Sequence, residues 1–138
     1  MAQLLVFRIG GEMYGLEVAH IQEVVESPQL YYIPRAPASL LGAMNFHGSI
    51  LPVLDLAACL GFGEAERDPR VIVLTPGEAQ LALAVTAMAG IVPFADEALL
   101  PGPEDQSQAT CIRAVLPDRG EMINLLDLER LLGSLENL

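Results

Sequence analysis

Residues Gly48 to Gly61, GSILPVLDLAACLG, return in outline as Gly120 to Gly133, GEMINLLDLERLLG. In both stretches a turn glycine precedes an apolar run, an Asp-Leu pair follows, and Leu-Gly closes the segment. Glycine supplies the positive φ that tight hairpin turns require, and the apolar run has the composition of a strand. Asp55 and Asp127 suit helix N-caps, and Gly61 and Gly133 suit C′ stops. The chain is predicted to be two copies of one strand-turn-strand-helix unit.

Working outward, Leu41 to Phe46 and Ser49 to Leu54 are the expected arms of a hairpin joined at His47-Gly48, with a helix over 56–60. Leu4 to Ile9 and Met13 to Val18 flank Gly10-Gly11 and predict an earlier hairpin. Val18, Ile21 and Val25 lie at helical spacing, so a short helical turn is expected before a strand at Val24 to Glu26. Pro28, Pro34 and Pro37 impose extended or turning chain up to Leu40. The polar segment Gly61 to Pro69 predicts a boundary between subdomains of about residues 1–65 and 66–138.

The second half repeats this order, with strands expected at Val71 to Leu74, Gln80 to Val85 and Met88 to Val92. A loop over Pro101 to Ala109, strands at Thr110 to Leu116 and Met122 to Leu126, and a helix after Asp127 complete it. A half of this length is marginal alone, so the halves are expected to share a core. Two small β-barrels, each ending in a short helix, satisfy the pattern without long exposed edges.

Composition narrows the function. Of 138 residues 52% are hydrophobic, yet 18 acids against seven arginines and no lysine give a net charge of −11. A mean hydropathy of +0.42 leaves apolar surface for partners, while the acidity disfavours nucleic acid and anionic membrane surfaces. The most apolar stretch, Leu81 to Ala95, is too short for a spanning helix, is interrupted by Thr86, Gly90 and Pro93, and reads as two buried strands. MAQLLVFRIGGE has no basic leader and its apolar run breaks at Arg8, so no secretory signal is expected and the cytoplasm is the default. Cys59 and Cys111 fit that compartment as reduced core residues.

Phosphate loops, nucleophile elbows, zinc helices and dinucleotide turns all lack their motifs, so no catalytic residue and no cofactor are predicted. Asp55 and Asp127 could be imagined as paired carboxylates, but capping explains both. His20 and His47 are the only histidines, without metal spacing, and no metal site is expected. Tyr14-Gly15 and Gly10-Gly11 are best explained by turn chemistry rather than a ligand loop. Ile21, Glu23 and Val25 could form a mixed docking surface, although Ile21 and Val25 equally suit a core.

Read in order, several segments resemble the CheW chemotaxis coupling-protein family. They are Phe7, Tyr14-Gly15-Leu16, Val18, Ile21-Gln22-Glu23-Val24, Ile33-Pro34, Leu41-Gly42-Ala43, Asn45-Phe46-His47-Gly48, Ile50, and Pro52-Val53-Leu54-Asp55-Leu56. The resemblance spans nearly the whole chain and implies a single CheW-like domain of two five-stranded SH3-like barrels. It implies a non-enzymatic adaptor that binds the regulatory domain of the CheA histidine kinase and the cytoplasmic tip of methyl-accepting chemoreceptors in membrane-associated arrays.

Carried over by position, Ile21, Glu23, Val24, Asn45, His47 and Gly48 match residues implicated in receptor contact. Docking of a helical hairpin is then expected to set apolar anchors between the barrels, with Ile21 as an anchor and Glu23 at the rim. The family usually has arginine at position 47, and a mostly neutral imidazole cannot copy that fixed charge and planar fork. If His47 serves the same contact, binding should strengthen on mild acidification. The substitution also motivates an alternative, a sensory or ligand-binding module of the same fold without receptor coupling.

Overall fold

The computed structural model describes residues 2–63, 66–102 and 111–135. The first predicted hairpin forms from β1 (Ala2–Ile9) and β2 (Glu12–Glu17), with Leu4 opposite Glu17 and Ile9 opposite Glu12. A 3-10 turn, Val18–His20, leads into β3 (Ile21–Glu26), so this strand begins three residues before its expected start. The second hairpin is β4 (Leu40–Phe46) and β5 (Ser49–Asp55), followed by helix α1 (Leu56–Cys59). The Asp55 carboxylate accepts from the Ala57 N–H at 3.1 Å, as a cap should.

Strands β6 (Arg70–Leu74), β7 (Ala82–Ala84) and β8 (Ala87–Phe94) come next, then a two-residue strand β9 (Leu100–Pro101). The remaining loop prediction falls mostly outside the described residues. The last hairpin is β10 (Ile112–Asp118) with β11 (Glu121–Leu126), and helix α2 (Leu128–Leu135) begins beside Asp127, whose carboxylate accepts from the Arg130 N–H. Helix α2 runs through Gly133 instead of stopping there, so this glycine is no C′ stop. The two β10 residues beyond its predicted end leave only Arg119-Gly120 as the turn.

The strands make two sheets, ordered β8-β1-β2-β11-β10-β9 and β3-β6-β7-β5-β4. The protein is all-β, although one sheet has six strands instead of the expected five. Each sheet contains one parallel pair. Met13, Tyr14 and Gly15 of β2 lie beside Ile123, Asn124 and Leu125 of β11, and Val53 to Asp55 of β5 lie beside Ala82 to Ala84 of β7. Asn124 Nδ2 donates to the Met13 carbonyl at 3.0 Å, adding a side-chain bond to the first pair.

These parallel pairs overturn the boundary near residue 65. One unit takes the chain up to Ala19 and resumes at Ala89, whereas the other is the continuous segment His20–Met88. Each half of the sequence therefore sends its first hairpin to pair with the second hairpin of the other half. Local pairing rules favour neighbours in sequence and give no warning of such an exchange.

Each unit has its own buried cluster. In the interrupted unit Leu4, Val6, Phe94, Leu116, Ile123 and Leu125 pack together, joined by the half-buried Met13, Val92 and Leu99. Gly15 lies inside β2 instead of in a turn. A Cβ there would stand 3.1 Å from Ile123 Cγ2 and 3.2 Å from Leu4 Cδ1, so glycine leaves room for these two side chains against the β2 backbone. In the continuous unit Met44, Leu51, Val53, Val71, Val73, Ala82 and Ala84 form the cluster. Full burial of such a side chain contributes about 1.5–3 kcal/mol.

Strand β8 corrects one further expectation. Ala89, Gly90, Ile91 and Pro93 are exposed, so of the two strands predicted to be buried only β7 is.

Candidate functional site

Within His20–Met88, β3 and β4 stand at opposite ends of the pairing order. The sheet nevertheless curls far enough to bring Glu23 Oε1 of β3 within 3.8 Å of His47 Nε2 in the β4–β5 turn. Glu23, Val25, Tyr31, Asn45, Phe46 and His47 line a cleft of about 290 Å³ between these strands.

The turn explains where His47 points its backbone. His47 has φ 50° and Gly48 has φ 89°, the two consecutive positive values of a type I′ hairpin turn. Asn45 Oδ1 accepts from the Gly48 N–H at 3.0 Å and holds the turn from below. The imidazole rests edge-on against Phe46, with ring centroids 4.3 Å apart and planes 60° apart. At 3.8 Å the His47–Glu23 contact is an ion pair only when the ring is protonated, and it is too long for a hydrogen bond. With side chains 75% and 50% exposed, the two groups stay open to a partner.

Strand alternation divides the predicted residues. Glu23 and Val25 face the cleft, and Val25 also packs against the buried cluster. Val24 points away and is exposed, paired across from Ile72. Ile21 is half-buried opposite Leu74, with a register shift between it and Glu23. The structure thus gathers Glu23, Asn45 and His47 around one opening, with Gly48 in the supporting turn, and leaves Ile21 and Val24 outside the cleft lining.

Sequence reasoning missed Tyr31. The strap before β4 is anchored by two reciprocal hydrogen bonds, Tyr31 N–H to the Ala43 carbonyl at 2.7 Å and Ala43 N–H to the Tyr31 carbonyl at 2.8 Å. Gly42 makes that approach possible, because a Cβ at its φ of 154° would come 2.7 Å from the Tyr31 carbonyl oxygen. The strap leaves Leu30, Tyr31 and Tyr32 exposed in succession. That run of large apolar residues between Pro28 and Pro34 was the available signal.

Among the described residues no group of three or more His, Cys, Asp or Glu could hold a metal ion. No described helix is long and apolar enough to cross a membrane.

Two mixed sheets, mostly antiparallel with one parallel pair each, and an open cleft at a hairpin tip define a β-scaffold with an exposed surface. Residues 3–136 match the family model of the CheW-like domain. The chain is 32% identical to the probable chemotaxis protein CheW of Rhizobium etli, over 98% of this chain and 90% of that protein. It is 32% identical to protein FrzA of Myxococcus xanthus, over 91% of this chain and 82% of that one. The crystal structure of the scaffolding protein TtCheW from Thermoanaerobacter tengcongensis matches with a TM-score of 0.82 at 26% identity, covering 91% of this chain and 88% of that one. The chain belongs to the CheW-like domain family, and its function is that of an adaptor in chemotaxis signalling.

Proposed function

We propose that this adaptor couples the cytoplasmic tips of methyl-accepting chemoreceptors to the regulatory domain of a CheA-type histidine kinase. It acts without catalysis, from the cytoplasm, at membrane-associated receptor arrays. The observation that carries the reading is the convergence of Glu23, Asn45 and His47, three positions matched to the family's receptor contact, on one exposed cleft of a chain matched along nearly its full length. Ile21 and Val24, on the same strand, extend the receptor surface beyond the cleft, and Gly48 fixes the tip.

Reconstitution with the kinase and a receptor fragment from the same source tests this. Kinase activity is expected to become receptor-dependent only when the adaptor is present. Absence of both binding and coupling overturns the assignment. Ile21→Asp is expected to weaken receptor binding by about 2 kcal/mol in a folded protein, as for an interface anchor; unchanged affinity would remove Ile21 from the contact. His47 keeps the ligand-module alternative in play, and co-purification separates the two, since that module would carry a small molecule and bridge nothing.

A further inference from the structure

We infer that the Glu23–Tyr31–His47 cleft is a socket for a basic side chain, an arginine or lysine, carried by the helical partner. This rests on the receptor reading above and names the chemistry that the site recognises.

The lining has one permanent charge, the Glu23 carboxylate, and it is negative. Among the described residues its one ionisable partner within ion-pair distance is His47, 3.8 Å away and charged only when protonated. An arginine at position 47 would neutralise Glu23 from within, whereas this imidazole leaves the carboxylate's hydrogen-bonding capacity for a partner. Tyr31 and Phe46 supply aromatic walls that attract a cation and accept its aliphatic stem. Asn45 Oδ1 lies on the same lining and retains acceptor capacity beyond its bond to Gly48. A cleft of about 290 Å³ has room for one long side chain. The chain's charge of −11 steers a basic partner toward it.

The strap brings Tyr31 to the cleft with its backbone already fixed, by two hydrogen bonds to Ala43 and a seat over Gly42, so no backbone ordering is needed on binding.

The socket can be probed directly by NMR titration of the full chain with N-acetyl-arginine amide and, in parallel, with the isosteric neutral citrulline amide. The arginine compound is expected to shift the Tyr31, Phe46 and His47 resonances, saturating in the millimolar range, and Glu23→Gln should abolish the shifts. No shift, or equal shifts from both compounds, overturns the socket without touching the adaptor assignment.

The receptor fragment then supplies the second arm. Glu23→Gln is expected to weaken its binding about tenfold and Tyr31→Leu about threefold, with Tyr31→Phe restoring most of that loss. Urea unfolding of each variant separates binding losses from misfolding. Unchanged affinity in folded Glu23→Gln, or after every basic residue near the receptor tip is changed to Gln, removes the proposal. A parent chain that binds the arginine compound but no receptor keeps the socket and overturns the receptor reading instead.

Discussion

The two hairpin tips, His47-Gly48 and Arg119-Gly120, share a backbone and differ in chemistry. His47 and Arg119 both have φ 50°, and Gly48 and Gly120 follow at 89° and 81°. Upstream, both hairpins carry the same register shift, between Leu40 and Gly42 in one and between Ile112 and Ala114 in the other. The turn is therefore architecture, kept in both copies. What the copies vary is the side chain at its tip and the strand beside it. The first tip offers imidazole, an Asn45 support and an acidic neighbour on β3, while the second offers arginine after Pro117, facing the uncharged β8. One scaffold thus presents two chemically distinct surfaces.

The closest glycine contacts of the two units also differ, and this gives the largest expected effect. In the continuous unit Gly42 on β4 meets the strap at Tyr31. In the other unit Gly102 follows β9, and a Cβ there would lie 3.2 Å from the Ile112 carbonyl oxygen. Gly42→Val should cost about 3 kcal/mol, since it meets the Tyr31 carbonyl head-on in a conformation that side chains avoid. Chemical denaturation measures it, and a loss below about 1 kcal/mol would show that the strap yields easily.

The next effect concerns how each unit anchors its first hairpin. Asp68 accepts from Arg70 Nε and Nη2, from the Arg70 N–H, and from the Met88 N–H at 2.8 Å, tying the start of β6 to β8. Strand β1 begins Ala2-Gln3 and has no such carboxylate. Asp68→Ala should therefore destabilise the protein by about 2 kcal/mol. The Arg70 side chain holds the Asp68 carboxyl well below the usual carboxylate range. Its contribution is then complete at neutral pH and declines as pH falls below about 4 toward the depressed folded value. Thermal unfolding of parent and variant across that range should converge at the acid end.

Gly48→Ala and Gly120→Ala test the equivalence of the turns. Neither added Cβ meets anything within 4 Å, so the cost is backbone strain alone. About 1 kcal/mol is expected for each, and clearly unequal urea midpoints would break the comparison. The smallest effect belongs to Asn45→Ala, about 0.5–1 kcal/mol, because the lost bond to Gly48 is exposed. Faster hydrogen exchange at the Gly48 amide should accompany it, with the Gly120 amide unchanged.

The sequence made the local elements legible for physical reasons. Both Gly turns and both Asp caps announce themselves, since few residues tolerate those dihedrals or satisfy exposed N–H groups. The exchange of hairpins was hidden because the β2–β11 and β5–β7 registers leave no local pattern. Apolar composition made β8 look buried, although Ile91 ends up 58% exposed. Resemblance singled out Glu23, Asn45 and His47 separately, whereas their meeting in one cleft depends on a sheet curling end to end. The apolar run around Tyr31 was a signal in the sequence, but its seat was not, because that depends on Ala43 and Gly42 across the strap.

The parallel pairing of β2 with β11 also sets a timetable. During synthesis the β1–β2 hairpin is made before the strand it must lie against, with all of His20–Met88 emerging in between. The segment His20–Met88 can complete its own ladder in the interval. Until β11 arrives, β2 keeps an open edge on an apolar hairpin, a segment of the nascent chain that needs protection from aggregation.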